Sequence, residues 1–179
     1  LCPYTGISCL GETGSLNVKR RGDLEGAANW SHFYTNPANT YCSDDDLLKG
    51  TLEISWYRDT DFEMPSRHAM STPTMVYNGY MLMPGAHGIR VSNVYNGRPI
   101  WDYSIENMAN YKGYVTDRRT LSGSVCIGSN RVFARYGGVC HVFDLPTGRK
   151  LRSLTLPGKQ SKGVSRHWGY LAVKEGVLY

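Results

Sequence analysis

The sequence lacks two features that define common protein classes, a long hydrophobic run and an uninterrupted helical pattern. Its apolar runs are short, such as Met81, Leu82 and Met83, whereas a membrane-spanning helix needs about 20 apolar residues. Proline and glycine interrupt every candidate amphipathic window of about 12 residues. We therefore predict a chain that neither spans a membrane nor folds from helices. Of its 179 residues 41% are hydrophobic, which is enough for a core and excludes wholesale disorder.

Cysteine occurs in an odd number and without the spacing of a metal site. The five cysteines contain no CxxC pair, the spacing that is typical of structural zinc sites. Cys126 and Cys140 lie in apolar, strand-like stretches and are predicted to be buried thiols. Cys2 and Cys9 are close enough in the sequence to form a local disulfide, and the sequence does not decide whether they do.

Charge of both signs is present but unevenly distributed. The net charge is +5, but residues 1–111 hold 8 basic and 12 acidic residues, whereas residues 112–179 hold 12 basic and 3 acidic ones. The basic residues are scattered, without a helical stripe or alternation with aromatic residues, so nucleic acid is not predicted as a partner. The acidic run at residues 44–46 lacks the alternate spacing of a calcium loop and indicates a solvated loop.

An internal repeat with a spacing of 51 residues is the strongest pattern in the chain. Residues 79–98 align without gaps over residues 130–149, with Gly97 over Gly148, and a weaker copy lies at residues 7–18. Each copy contains short strand-like segments separated by Gly or Asn turns. Four short antiparallel strands in a unit of about 40–50 residues are typical of a propeller blade. We therefore predict an all-β chain that forms part of a β-propeller of four-stranded antiparallel blades.

The turn in each copy resembles the A-x-D-x-x-T-G-x-x-x-W repeat of pyrroloquinoline-quinone-type (PQQ-type) propellers. The second copy departs from this pattern at the tryptophan position, which is Arg152. The Asp or Asn side chain of the pattern can bond the turn backbone, and the Gly takes a positive φ. The Trp packs between adjacent blades and joins them through its N–H. These structural positions fall on Asn93, Gly97, Trp101, Asp144 and Gly148.

Residues 29–56 are similar to the segment that opens many PQQ-type propellers. In those proteins a W-x-x-(F/Y) stretch and an L-x-x-x-W strand precede the first complete blade. Trp30 and Phe33 fit the first pattern, and residues 52–56, which end in Trp56, fit the second. We therefore expect an outer strand at residues 52–56, with Trp56 as a further blade-packing residue.

The resemblance divides the chain into parts of a larger propeller. The expected parts are the tail of a preceding blade or propeller (1–28), an opening segment or insertion with an outer strand (29–73), a blade (74–123), a second blade (124–166) and the start of a further, truncated blade (167–179). It implies a fragment of a large exported bacterial protein, similar to those of planctomycetes, in the periplasm or otherwise exported. As an open arc with unpaired sheet faces, this piece alone is expected to aggregate.

The resemblance also raises the question of a quinone cofactor. PQQ-dependent dehydrogenases of this family cap the quinone with adjacent cysteines and use a calcium ion and an Asp base. This chain has no Cys-Cys pair, and no acidic residue matches the base by its surroundings. We predict no catalytic residue, no metal site and no cofactor, with PQQ and calcium as the alternative.

Candidate ligand contacts are the residues that precede the innermost strand of a blade, because propellers bind ligands in the central channel or at its rim. The histidines themselves stand singly, without the convergence that a catalytic or metal site needs. The candidate channel or rim contacts are Arg67, His68, Arg166, His167 and Trp168.

The predicted function is a non-catalytic PQQ-like β-propeller module for protein or ligand binding, or for scaffolding, within a larger protein. Its predicted partners are a protein or small ligand at a propeller face and the remaining blades of the parent chain. The alternative is part of a quinoprotein-like oxidoreductase of the PQQ-dependent dehydrogenase type. Both hypotheses rest on analogy of fold.

Overall fold

The structure is a computed structural model that describes residues 2–4, 6–59, 61–62, 64, 73–85, 87–105, 124–136, 138–157 and 168–179. These residues form twelve β-strands and contain no helix. Within them, accordingly, no helix is long and apolar enough to cross a membrane. The prediction of an all-β fold is confirmed.

An exposed hairpin comes first along the chain. Strand β1 (Ile7–Glu12) pairs antiparallel with β2 (Ser15–Arg20) across a turn at Gly14, whose φ of 91° suits glycine. The apolar side chains of Leu10 and Val18 are 70% and 60% exposed. The weak first copy of the repeat therefore forms a hairpin, but its apolar side chains pack on no core of the described residues.

The first four-stranded sheet, blade A, follows the order predicted for a blade. It consists of β3 (Met75–Tyr77), β4 (Tyr80–Gly85), β5 (Gly88–Asn93) and β6 (Pro99–Ser104), each hydrogen-bonded antiparallel to the next. The register between β5 and β6 shifts beside the repeat turn at residues 93–98, so the outer strand is bulged there.

The second sheet, blade B, repeats the first at the predicted spacing. It consists of β7 (Val125–Gly128), β8 (Arg131–Tyr136), β9 (Val139–Asp144) and β10 (Lys150–Thr155), again in antiparallel order. Strands β8, β9 and β10 each begin 51 residues after their counterparts in blade A, the spacing that the sequence repeat gives.

The two blades pack face to face, because alternate residues of each strand point to opposite sides of a sheet. Leu82 and Val91 of blade A share one buried core with Val132 and Phe143 of blade B. Phe133, next to Val132, points the other way into a second cluster. Blade B is therefore apolar on both faces, as an internal blade must be.

A last hairpin covers the outer face of blade B. Strands β11 (Val173–Lys174) and β12 (Val177–Leu178) pair antiparallel, and Val173 joins Phe133 and Leu171 in the second cluster. Strand β7 lies between β3 and β11, so the first strands of three successive sheets run side by side. We call β3, β7 and β11 the row of first strands.

The expected outer strand at residues 52–56 is not formed. Residues 51–59 carry no strand, and Leu52 and Ile54 are 71% and 87% exposed. The physical reason is that a strand needs a hydrogen-bonded neighbour, and no described strand pairs with this segment. The apolar pattern is present, but the ladder that would make it a strand is not.

Candidate functional site

Trp101 joins blade A to blade B. Its Nε1–H donates to the backbone oxygen of Leu145 at 2.7 Å. The indole covers Gly148 so closely that a Cβ added there would lie 2.5 Å from Trp101 Cδ2. Glycine is required at position 148 for two reasons. Its φ of 69° favours glycine, and the absence of a side chain leaves room for the ring of Trp101 from the preceding blade.

Trp56 makes the same contact on the other side of blade A. Its Nε1–H donates to the backbone oxygen of Val94 at 2.8 Å, and a Cβ on Gly97 would lie 2.5 Å from Trp56 Cζ3. Residues 52–56 thus place their tryptophan where an outer blade strand would place it, even without strand pairing. The side-chain contact does not depend on the ladder.

The repeat turns are closed by their Asn or Asp side chain. Asn93 Oδ1 accepts the N–H of Tyr95 at 2.9 Å, and Asp144 Oδ1 accepts the N–H of Thr147 at 3.1 Å. In both turns the glycine N–H then bonds to the backbone oxygen of that Asn or Asp at 2.9 Å. The turn chemistry holds each glycine under its tryptophan.

A segment that we call the axial segment, residues 29–36, crosses the row of first strands. Trp30 exchanges backbone hydrogen bonds with Val76 of β3, and the oxygen of Ser31 accepts the N–H of Ile127 of β7 at 2.8 Å. The ring of His32 then accepts the N–H of Val173 of β11 at 3.0 Å. Three consecutive residues therefore fasten the first strands of three sheets.

His32 is the buried centre of this arrangement, with 1% of its surface exposed. Its Nε2 accepts from Val173, so the ring proton lies on Nδ1, which bonds to Ser31 Oγ at 2.8 Å. Burial lowers the pKa of His32 from 6.5 to about 4. The ring is therefore neutral at neutral pH and acts as a hydrogen-bond acceptor that fixes β11.

A cavity of about 230 Å³, which we call the axial cavity, lies between the axial segment and the loop that follows it. Thr35 is 1% exposed, and its hydroxyl has no hydrogen-bond partner in the part of the chain that the structure describes. Its φ of 80° is strained for a β-branched residue. The residues that line the cavity are Ala27, Ala28, Asn29, Thr35, Asn36, Cys42, Ser43 and Asp44.

Side chains of the loop hold the cavity walls in place. Asp45 accepts three backbone N–H groups, from Ala28 at 3.0 Å and from Leu47 and Leu48 at 2.9 Å each, and these bonds lower its pKa. Asn36 Oδ1 accepts the N–H of Ala38 at 3.0 Å. These hydrogen bonds preform the cavity.

A smaller cavity of about 140 Å³ lies where Trp56 covers blade A. On its wall Arg90 makes a bidentate pair with Asp102, both contacts at 2.7 Å, and bonds Asp61 at 2.6 Å. The bond from Arg90 is the main cause that lowers the pKa of Asp61. Ser92, also on the wall, has a buried hydroxyl without a partner among the described residues. Arg90 is thus paired with two carboxylates, which indicates a structural contact.

The candidate channel contacts are only partly described. Arg67, His68, Arg166 and His167 lie outside the described residues. Trp168 is half-buried and packs against the cluster of Phe133 and Leu171 beneath the last hairpin. Its role as a ligand contact stays a prediction.

Sequence reasoning missed His32, Ser31 and Thr35 as site residues. The histidine stood alone among its neighbours in the sequence, and its partner Val173 is 141 residues away. Only the W-x-x-(F/Y) resemblance drew attention to this stretch, without assigning it a contact.

Cys126 and Cys140 are buried free thiols, as the sequence predicted. Burial raises the pKa of both, that of Cys140 to about 11, so neither is a thiolate at neutral pH. Cys2, Cys9 and Cys42 are exposed free thiols, so the structure does not contain the local disulfide left open by the sequence.

No protein-family model and no curated protein matches the chain. Among solved structures, the quinohemoprotein alcohol dehydrogenase ADHIIG from Pseudomonas putida HK5 is similar over 73% of this chain, with 19% sequence identity and a TM-score of 0.51. The similar region covers 19% of that enzyme's chain, so this chain spans about a fifth of its length. Similarity at this level of identity concerns the fold. The chain has the fold of a PQQ-like β-propeller, with four-stranded antiparallel blades joined by tryptophans.

Proposed function

We propose that this chain is a non-catalytic PQQ-like β-propeller module that binds a ligand in the axial cavity, within a larger protein. The observation that carries the proposal is the preformed polar cavity beside the axial segment, with Thr35 on its wall. A buried hydroxyl without a partner lowers the stability of a fold, and strained residues such as Thr35 cluster at ligand sites.

The lining of the axial cavity does not fit a quinone cofactor. PQQ is a tricarboxylate that binds with a divalent cation, so it needs basic side chains and a set of acidic or amide ligands. The only charged residue among those that line the axial cavity is Asp44, and the lining contains no Lys or Arg. No group of His, Cys, Asp and Glu in the described ranges could hold a metal ion. The cavity is also smaller than the roughly 300–1,000 Å³ of sites for drug-sized ligands.

The second candidate function is a part of a quinoprotein-like oxidoreductase. The structural similarity to a quinohemoprotein alcohol dehydrogenase favours it. In that case the quinone and its calcium ion would be held by residues other than those of the axial cavity.

A titration of the chain with PQQ in the presence and absence of Ca²⁺ separates the two candidates. Absorbance of the quinone and the melting temperature of the protein are followed together. We expect no saturable change with PQQ and Ca²⁺. Tight, calcium-dependent binding that raises the melting temperature would reject the non-catalytic module.

Location and further partners belong to the same proposal. We propose that the parent protein is exported, and that a protein partner or the remaining blades of the parent chain contact the propeller faces. The exposed apolar side chains of β1, β2 and residues 52–56 support the contact with a partner or with further blades.

A further inference from the structure

Strands β1 and β2 form a hairpin with one apolar face. Residues that lie directly opposite each other in an antiparallel pair share a face of the sheet. The register therefore places four apolar side chains together, those of Ile7, Cys9, Leu16 and Val18. All four are exposed, and the opposite face is polar except for Leu10. Because an isolated two-stranded hairpin is marginally stable in water, this apolar face indicates a missing partner.

The backbone of β1 has an open edge on the side away from β2. The N–H of Arg21 donates to the oxygen of Gly6 at 2.8 Å, so every second residue from Gly6 onwards points its backbone groups towards β2. Ile7, Cys9 and Gly11 point their N–H and C=O groups the other way. No described strand pairs with them there, so this edge is free to accept another strand.

The last sheet contains the two strands that this hairpin lacks. Strand β11 lies beside β7 in the row of first strands, so β11 and β12 correspond to the first and second strands of a blade. The turn at Gly14 corresponds instead to the repeat turns at Gly97 and Gly148, which join the third and fourth strands of blades A and B. The two hairpins therefore correspond to the two halves of one blade.

The edge of β12 that a third strand would occupy is open in the part of the chain that the structure describes. Tyr179 and Ala172 exchange backbone hydrogen bonds at 2.8 and 3.2 Å, so the intervening Leu178 points its N–H and C=O away from β11. Blade B is also incompletely covered. Tyr103 of blade A packs on strand β9 of blade B, whereas no described third strand covers its counterpart, the half-buried Leu154.

The two halves do not meet within one copy of the chain. The base of the first hairpin is fixed on blade A, because Tyr4 donates its N–H to the oxygen of Gly22 at 3.0 Å and packs on Gly79. Blade A covers one face of blade B, and the last hairpin covers the other. Blade B therefore separates the two hairpins, and the missing half has to come from another molecule.

We propose that the β1–β2 hairpin of one copy of this chain completes the last sheet of a second copy. Strand β1 pairs with the open edge of β12, and the apolar face of the hairpin covers blade B near Leu154. The contact continues the face-to-face packing by which blade B covers blade A. This inference rests on the partner contact in the proposed function and does not involve the axial cavity.

Sedimentation of the full chain over a range of concentrations, with a reducing agent present, tests the proposed contact. We expect a reversible association that Val18→Lys weakens by at least about ten-fold, because the contact would bury the added charge. Asn17→Lys is the matched control, since it adds the same charge to the polar face of the same strand, and should associate normally. A monomer at every concentration, or equal association of the two variants, would overturn the proposal.

A proline in β1 tests whether the contact is made by strand pairing. Cys9→Pro removes an N–H from the open edge and leaves the hydrogen bonds to β2 in place, whereas Cys9→Ser keeps that N–H. We expect Cys9→Pro to weaken the association at least about ten-fold relative to Cys9→Ser. Hydrogen exchange at the amide of Arg21 reports whether the hairpin itself stays folded. Equal association of the two variants would contradict the pairing of β1 with β12.

A mixing experiment distinguishes this contact from the association of two hairpins. Leu178→Pro blocks the edge of β12 and keeps the hairpin, whereas Val18→Lys blocks the hairpin and keeps the edge. We expect neither variant to associate alone, the mixture to associate, and Leu178→Ala, which keeps the N–H, to associate alone. Association of Leu178→Pro by itself, or none in the mixture, would overturn the proposal.

Failure of this inference is separate from failure of the proposed function. Sedimentation reports only on the contact between copies, whereas the titration with PQQ and Ca²⁺ reports on the module. A monomeric chain that binds no PQQ would reject the contact and leave the non-catalytic module in place. Tight, calcium-dependent binding of PQQ would reject the module, whichever way the chain associates.

Discussion

Replacing Gly148 by alanine tests how the blades are joined. The added Cβ would lie 2.5 Å from Trp101 Cδ2 and 2.6 Å from Cγ, which no side chain can occupy without displacing the indole. Gly148 also has a φ of 69°, at which an L-residue is strained. The variant should therefore combine two effects, backbone strain and the loss of the tryptophan contact.

The size of each effect follows from the structure. A non-glycine residue in the left-handed region costs roughly 1–2 kcal/mol. Displacing Trp101 loses its hydrogen bond to Leu145, about 1 kcal/mol, and part of its packing on Phe143, roughly another 1 kcal/mol. Gly148→Ala should therefore lower the free energy of unfolding by about 3–4 kcal/mol.

Gly176 provides the matched control. Its φ is 79°, but a Cβ added there would meet nothing within 4 Å. Gly176→Ala should show the backbone strain alone, about 1–2 kcal/mol. Denaturant unfolding followed by far-ultraviolet circular dichroism measures both variants without relying on tryptophan fluorescence. Equal destabilisation by the two substitutions would refute the tryptophan contact.

A double-mutant cycle isolates the contact itself. In a Trp101→Ala background, Gly148→Ala should cost no more than Gly176→Ala does, because the ring that it would displace is absent. An undiminished cost in that background would show that the clash involves another group.

Three further predictions concern the axial segment and its loop. Because the pKa of His32 in the folded chain lies below its ordinary 6.5, the stability that the neutral ring contributes is full above pH 6.5 and is lost as pH falls towards about 4. This loss should be about 2 kcal/mol after allowance for solvent screening. His32→Gln, which cannot titrate, should abolish this pH dependence in denaturation curves measured across that range. Cys42, which shares the cavity with Asp44, should favour neutral iodoacetamide over anionic iodoacetate more strongly than the exposed Cys9 does, as measured by peptide mass spectrometry; equal reagent ratios at the two cysteines would contradict the charge assigned to the cavity. Asp45→Ala should speed hydrogen exchange at the amides of Ala28, Leu47 and Leu48, whereas Asp44→Ala should leave it unchanged.

The blades were predictable because their information is local. A turn such as that at Asn93 and Gly97 depends on residues within a few positions, and its recurrence at a spacing of 51 fixes the order of the strands. The strand alternation then fixes which face each residue buries. These features need no knowledge of distant parts of the chain.

The errors arose where long-range partners decide the structure. Residues 52–56 have a strand-like pattern, but pairing depends on a neighbouring strand, which the pattern does not report. Trp56 still reaches Val94, since one side-chain contact is independent of pairing. The contact of His32 could not be predicted from the sequence either, because its partner Val173 lies 141 residues later. Its burial depends on the contact between β11 and the axial segment.

The protonation of the His32 ring tests the central claim most directly, because one atom links the axial segment to the last sheet. Long-range proton–nitrogen spectra of the imidazole nitrogens, recorded from pH 8 to pH 4, report which nitrogen carries the proton and where the ring titrates. We predict a proton on Nδ1, an unprotonated Nε2 that accepts from the N–H of Val173, and titration near pH 4. A proton on Nε2 with titration near pH 6.5 would place the ring in solvent and contradict the axial segment, and with it the cavity that it shapes.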